Sequence, residues 1–270
     1  MQRSRSPLKL HDSPLVLALA QVRLSPVLKM QTFIPEMQER LRNAGYPRYV
    51  EAQMQQIMLG PMPTAVPGPA TTKWVFSDRD GSKAVVVAPD FVTFEVSRYD
   101  TFDAFSEELR SVLSLVGEVT NVALAERLGL RYLDHIRAGS DDTIEDYVAP
   151  GLAGVDLASA GAERTRSVYL VQGTTASGQY VVRLNRNTGP FVLPADLQPP
   201  DVTIAPPEGS DEYAVLDVDH FSAVTREYQP DVLIDVFWQL HDVCEGIFRE
   251  AVTPYALKVW RAEDLEGVAS

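Results

Sequence analysis

The stretch RLGLRYLDHI, residues 127–136, decides how this chain folds. Its alternate positions are apolar, with Leu128, Leu130, Tyr132 and Ile136 in one set. The positions between them include Arg127, Arg131 and His135. Because successive side chains of a β-strand point to opposite faces, the pattern predicts a strand with one apolar and one basic face. We expect the apolar face to meet helices and the basic face to point away from them.

Apolar periodicity before this strand predicts a first run of strands and helices. The run comprises strand 15–24, a helix opened by Thr32, a short strand 56–59, a loop over 60–69, a three-stranded meander over 72–99 and a helix capped by Thr101. Asp80-Gly81 and Pro89-Asp90 supply the turns of the meander.

A second run with a loosely similar order follows. It comprises the strand 121–137, a short helix near 142–148, a hairpin of 166–172 and 180–186, a strand 213–221 and a helix 231–250. The proline-rich segment 190–209 is expected to run over the surface between strands.

These runs predict an α+β fold with one broad antiparallel sheet, built from two related β-α-β(n)-α modules, with the long helices packed on one face. We expect one integrated domain over residues 1–270. Its first module covers 1–118, and its second covers 119–270 and includes the C-terminal helix and tail.

Composition limits the classes of partner and site. With 37 acidic and 24 basic residues the net charge is −13, which disfavours binding to nucleic acid. The single cysteine, Cys244, excludes an intramolecular disulfide and a multi-cysteine zinc site, and its helical neighbours predict burial. LVLALA near the start continues in strand-like alternation, so we interpret it as a strand rather than a signal peptide. These features predict a soluble cytoplasmic protein without a membrane span.

Several stretches in a fixed order resemble an uncharacterised, sporadically distributed bacterial protein family of similar length. They are PLVLALAQVRL, TKWVFSDRDG, SRYDTFDAF, RLGLRYLDHI, VLDVDHF and IFREAVTPYALKVW. No activity is assigned to that family, so the resemblance implies neither a catalytic residue nor a cofactor.

The basic face of strand 121–137 is the main candidate for function. Asp217 and Asp219 on strand 213–221, and Glu95 in the meander, can join Arg127, Arg131 and His135 on that face. One interpretation is cross-strand ion pairing, which stabilises a sheet by about 0.2–1 kcal/mol per pair. The others are a cationic pocket for a phosphate or carboxylate ligand and a surface for a partner protein.

Enzymatic chemistry has one candidate, the alternating pair Asp217 and Asp219. Two carboxylates on one face of a strand are how many divalent-metal phosphoryl-transfer sites begin. The four histidines show no metal-ligand spacing, and no nucleophile or phosphate-binding motif occurs. The many aromatic residues predict an ordinary core or a cavity for an apolar ligand, and Trp260 is expected to dock the tail or a partner.

The sequence therefore favours a non-enzymatic binding or protein-interaction protein with no cofactor. Its predicted binding surface is the face without helices, with Arg127, Arg131, His135, Asp217, Asp219 and Glu95. The alternative is a divalent-metal-dependent phosphotransferase or phosphoesterase centred on Asp217 and Asp219. A two-fold homodimer is the simplest partner arrangement, because such dimers are the commonest soluble oligomers.

Overall fold

The structure, a computed structural model, describes residues 8–59, 65–155, 161, 166–205 and 212–262. Within them the chain forms one broad antiparallel sheet of ten strands together with helices, so the predicted α+β class is confirmed. The described helices include none that is long and apolar enough to span a bilayer.

The bounds of the elements are as follows. The strands are β1 (Leu15–Leu24), β2 (Arg48–Leu59), β3 (Ala65–Ser77), β4 (Lys83–Ala88), β5 (Phe91–Val96), β6 (Leu124–Arg137), β7 (Arg166–Thr174), β8 (Gln179–Thr188), β9 (Glu212–Ser222) and β10 (Arg226–Glu227). The helices are α1 (Met30–Asn43), α2 (Phe102–Thr120), α3 (Ile144–Tyr147), α4 (Pro150–Ala153), α5 (Pro230–Ala251) and α6 (Pro254–Val259).

The strands lie in the order β2-β3-β4-β5-β1-β6-β9-β8-β7, and β10 pairs with β6. From the centre outward, one half of the sheet has the order β1, β5, β4, β3, and the other half has the order β6, β9, β8, β7. In each set of four, the strand that comes first in the chain lies at the centre, and the strand that comes last lies beside it. The two halves therefore share a strand topology. Internal duplication of the sequence stays a prediction.

The central strand β6 has the predicted facing. Leu128, Leu130, Tyr132 and Ile136 are buried in the large core on the side of the sheet that carries the helices. Leu133 belongs to a separate, smaller cluster on the opposite side. We call that opposite side the helix-free face. It carries the odd-numbered residues of β5 and β9, and those of β1 from 17 to 23 and of β6 from 127 to 137.

Local sequence signals define the ends of the two long helices. Thr101 caps α2, since its side chain accepts a hydrogen bond from the backbone N–H of Ala104. Asn121 ends α2 in the left-handed conformation, with φ 49°. Pro230 occupies the first turn of α5, where a missing N–H costs nothing. Cys244 is buried on α5, as its neighbours predict.

The prediction of a loop over 60–69 is wrong for residues 65–69, which belong to β3 and pair with β2. Pro67 pairs with β2 on one side only, because β4 pairs with Trp74–Ser77 and does not reach it. A proline, which has no backbone N–H, is tolerated at such an edge position. Residues 60–64 lie outside the described residues. The short predicted strand 56–59 is the end of the longer β2.

The N-terminal and C-terminal segments meet beside α6. Leu10 forms an antiparallel bridge with Ala262, and Arg261 Nη2 donates a hydrogen bond of 2.7 Å to Asp12. Trp260 is buried with its ring centroid 5.8 Å from that of Tyr147. The expected docking role of Trp260 is thus met within the chain itself.

Candidate functional site

The helix-free face brings all six predicted site residues to one side of adjacent strands. β6 supplies Arg127, Arg131 and His135, β9 supplies Asp217 and Asp219, and β5 supplies Glu95. The β6–β9 register places Arg131 opposite Asp219 and Leu133 opposite Asp217. Alternation alone was sufficient to predict this shared face.

Arg131 and Asp217 form a buried, bidentate ion pair. Arg131 Nε donates to Asp217 Oδ1 at 2.7 Å, and Nη2 donates to Oδ2 at 2.8 Å. Arg183 on β8 adds a further hydrogen bond of 3.2 Å to the same carboxylate. Burial opposes the charge on Arg131, but the hydrogen bonds and charges of Asp217 and Asp196 outweigh it and raise the pKa of the guanidinium. The predicted pairing of Arg131 with Asp217 is confirmed.

The centre of this face is covered by residues 189–204, which we call the strap. Its apolar side chains, Phe191, Leu193, Leu197, Val202 and Ile204, pack on the smaller apolar cluster of the sheet. Arg131 Nη1 donates to Asp196 at 2.5 Å, and Lys73 Nζ donates to Asp201 Oδ1 at 2.7 Å. This proline-rich segment runs over the surface, as the sequence predicts, and it lies against the sheet. Val202 is buried against the sheet, and Phe191, Leu193, Leu197 and Ile204 are half-buried there.

Glu95 lies deep under the strap, close to the pair formed by Lys73 and Asp201. Burial, aided by the charge of Asp201, raises the pKa of Glu95 to about 7, although Lys73 acts in the opposite direction. The Glu95 carboxyl therefore keeps its proton to a higher pH than a solvated carboxyl does. Glu95 belongs to the buried interior of the face and forms no ion pair with Arg127 or Arg131.

Arg127 and Asp219 lie beyond the edge of the strap and are half-buried. Their nearest charged atoms are 3.9 Å apart, and the Arg127 guanidinium lies 4.1 Å from the centre of the Phe221 ring. Burial lowers the pKa of Arg127, with Asp219 opposing this effect, and burial raises the pKa of Asp219. This pair is much weaker than the one that Arg131 makes.

His135 is packed between aromatic rings of the strap and of β9. Its ring centroid lies 4.5 Å from that of Phe191 and 5.0 Å from that of Tyr213. Neither ring nitrogen has a hydrogen-bond partner among the described residues. Burial, with repulsion from Arg137, lowers the pKa of His135 to about 4, so the imidazole is neutral at pH 7.

The geometry gives no support to a metal centre at Asp217 and Asp219. Both oxygens of Asp217 accept hydrogen bonds from arginines, and the side chain is fully buried. Over the described ranges, no group of three or more His, Cys, Asp or Glu residues is placed to hold a metal ion. The phosphotransferase alternative is therefore not the function that this geometry favours.

The opposite side of the sheet contains a cavity of about 90 Å³ that we call the helix-side cavity. It lies between β6, β9 and α5, and the segment 8–15 closes one side. Asp134 lines it with only 4% of its surface exposed, and its carboxylate makes no hydrogen bond within the described part of the chain. Burial, with a smaller effect of the Asp217 charge, raises the pKa of Asp134 to about 8.

Sequence reasoning did not identify Asp134 as a site residue, although a signal was present. Asp134 occupies an even position of β6, between Tyr132 and Ile136, where the alternation predicts an apolar side chain. An acid at such a position must lie inside the core, and buried acids are uncommon unless they are paired. The acidic residue at an apolar position of the strand therefore indicates a buried acid.

No protein-family model and no curated protein matches the chain, so its function has to be inferred from its own geometry.

Proposed function

We propose that this chain is a non-enzymatic protein-interaction protein that uses the outer part of the helix-free face and the edge strand β7. The partner is a second copy of the chain, paired through β7 about a two-fold axis. One observation carries the proposal: β7 ends the described sheet with a strand that, after Arg166, is uncharged and exposes apolar side chains.

Residues 167–174 of β7, SVYLVQGT, contain neither a charged residue nor a proline. Val168 is 58% exposed and Leu170 is 57% exposed. Both lie on the helix-free face, because Leu170 pairs with Arg183 and Val168 with Asn185 of β8. Edge strands usually carry charges, prolines or bulges that prevent pairing with another chain. Their absence from this segment favours a strand that accepts a neighbour.

The opposite end of the sheet provides a contrast. Val50 on β2 is as exposed as Leu170, at 57%, but Arg48 and Glu51 lie close to it along the strand. Charged side chains at these positions oppose pairing with another strand. The two sheet edges are therefore not equivalent, and β7 is the edge suited to a partner.

The charge of the molecule restricts where a second copy can bind. Two chains that each carry a net charge of −13 repel each other over most of their surfaces. The uncharged segment of β7 lets two copies meet without placing like charges opposite each other. Antiparallel pairing centred on Leu170 would set Leu170 opposite its own copy and Val168 opposite Gln172. Apolar pairs across strands add stability to such a junction.

Arginines and acids behind β7 would form the rim of the contact. Arg183 lies directly behind Leu170 on β8, and Arg127 and Asp219 follow on the next strands of the same face. Mixed charges at a rim guide orientation more than they add affinity. Arg131, His135 and Glu95 lie under the strap and would support the face without touching the partner.

The oligomeric state of purified protein tests the proposal. Light scattering at tens of micromolar should give a dimer for the wild-type chain. Leu170→Lys should give a monomer, because it places two like charges opposite each other at the centre of the junction. Val50→Lys, at an equally exposed apolar position on the other edge, is the matched control and should remain dimeric.

A wild-type monomer at these concentrations would overturn self-association through β7. A dimer that survives Leu170→Lys would place the contact elsewhere on the molecule. Circular dichroism of both variants establishes that each lysine leaves the fold intact.

A further inference from the structure

We propose that the helix-side cavity binds a small organic ammonium ion. In this site the charged nitrogen pairs with the Asp134 carboxylate, and the hydrocarbon part lies against the apolar wall.

Asp134 supplies the specific feature of the site. Its side chain is more than nine-tenths buried, it lines the cavity, and no hydrogen-bond donor of the described chain reaches its carboxylate. Buried carboxylates in proteins are normally paired or hydrogen-bonded, because burying an unsatisfied charge is costly. Asp134 thus presents an unused acceptor to a partly open cavity.

The other polar groups that line the cavity do not provide a cation for Asp134. They are Ser13, Tyr99 and Asp100 from connecting segments, Tyr132 from β6, and His241, Cys244 and Glu245 from α5. Arg249 donates to Glu245 at 2.9 Å, and Lys9 lies 3.4 Å from Asp100. These nearby positive charges therefore lie against other acids, and a cation that enters the cavity can pair with Asp134.

The walls favour an organic cation over a metal ion. Leu8, Leu10, Leu15 and Phe248 give the cavity a largely hydrocarbon surface. Divalent ions such as calcium require several converging oxygen ligands, and no group of three or more His, Cys, Asp or Glu residues in the described part of the chain is placed to hold a metal ion. The rings of Tyr99 and Tyr132, whose centroids are 5.8 Å apart, can also attract an organic cation through their faces.

The size of the cavity limits the ligand to a small molecule. A water molecule needs about 10–15 Å³ of such space. A cavity of about 90 Å³ therefore suits a ligand with only a few heavy atoms, such as a short alkylamine. An ammonium group on that ligand can donate hydrogen bonds directly to the carboxylate.

Binding should be coupled to the release of a proton. Burial keeps Asp134 largely protonated at pH 7, since its pKa is about 8. A cation in the cavity stabilises the carboxylate form and so drives the proton into the solvent. A carboxyl group that does not pair with the ligand would release no proton when the ligand binds.

Isothermal titration calorimetry of the full chain at pH 7, with n-butylammonium as the probe, tests the site. We expect saturable binding, and we expect its heat to change between buffers of different ionisation enthalpy because a proton is released. 1-Butanol should bind at least tenfold more weakly, and butyrate should not bind.

Asp134→Asn should weaken butylammonium binding at least tenfold, because it removes the charge while keeping the size of the side chain. Asp235→Asn, at an exposed position of α5, is the matched control and should change the affinity less than twofold. Carbon NMR of labelled aspartate carboxyls gives a second readout on the wild-type chain, in which the Asp134 resonance should shift on titration.

Three results would each overturn the proposal. One is the absence of saturable butylammonium binding up to about twenty millimolar, together with an unmoved Asp134 resonance. The second is binding that Asp134→Asn leaves unchanged. The third is 1-butanol binding as tightly as butylammonium, which would show an apolar cavity without charge recognition.

Discussion

Replacing Asp134 by Asn should stabilise the protein, and the gain should grow as the pH rises. The folded chain holds a proton on Asp134 up to a pKa of about 8, whereas the carboxyl has its ordinary value of 3.8 when it is freely solvated. Between these values the folded state binds more protons than the unfolded state. The stability that this group contributes is therefore complete below pH 3.8 and is lost as the pH approaches 8.

The magnitude follows from the linkage between proton binding and folding. One bound proton changes the free energy of unfolding by about 1.4 kcal/mol per pH unit. From pH 5 to pH 7 the wild-type chain should lose about 2.7 kcal/mol through Asp134 alone. Asn cannot ionise, so the stability difference between Asp134→Asn and wild type should increase by about this amount.

Urea unfolding at pH 5, 6 and 7, followed by tryptophan fluorescence, measures the difference at each pH. Asp235→Asn removes a carboxylate from an exposed position of α5 and provides the reference variant. A difference between Asp134→Asn and wild type that stays constant within about 0.5 kcal/mol over this range would refute the reasoning. It would mean that Asp134 is already ionised in the folded protein.

Four further substitutions test the fold and the helix-free face. Leu130→Ala should cost about 2–5 kcal/mol in urea unfolding, because it leaves a cavity in the fully buried core, and a loss below about 0.5 kcal/mol would contradict the facing of β6. Arg131→Met should cost about 3–5 kcal/mol, since it leaves the buried Asp217 carboxylate without its main partner. Asp196→Asn removes only an outer, exposed partner of Arg131 and should lower the free energy of unfolding by no more than about 1 kcal/mol. Similar losses of stability for Arg131→Met and Asp196→Asn would be inconsistent with the buried pair. Glu95→Gln should become more stable relative to wild type as the pH rises from 4.5 to 7, because the pKa of Glu95 is raised to about 7; a pH-independent difference in thermal unfolding would argue against its burial.

The sequence predicted those parts of the fold that depend on local pattern. Alternation in β1 and β6 gave the strands and the facing of β6, and Thr101 marked the start of α2. Each of these signals lies within a few residues of the element it describes. The burial of Leu130 and Tyr132 follows from the same alternation.

Long-range packing could not be predicted in the same way. The strap contains prolines and no regular periodicity, so its sequence suggests an exposed loop. Only the folded sheet shows that Asp196 and Asp201 reach Arg131 and Lys73. The environment of Asp134 has the same origin, because the helix-side cavity forms where segments distant in sequence meet. A pattern within one strand shows which face a residue occupies but not what lies opposite it.

The position of β1 has a consequence for how the chain folds during synthesis. β1 is made before the other described strands, yet it lies near the middle of the sheet, between β5 and β6. The first half can form its own sheet as soon as β5 and α2 are complete, but one edge of β1 then stays without a partner until β6 emerges. α5, which packs on β6 and β9, follows later still.

The chain therefore completes its core late. Pairings between distant segments slow folding, because a long loop must close before the contacts that reward it can form. The open edge of β1 is also the place where two unfinished chains could pair wrongly. Pairing of β6 with β1 closes this edge, so the basic strand at the centre of the sheet also joins its two halves.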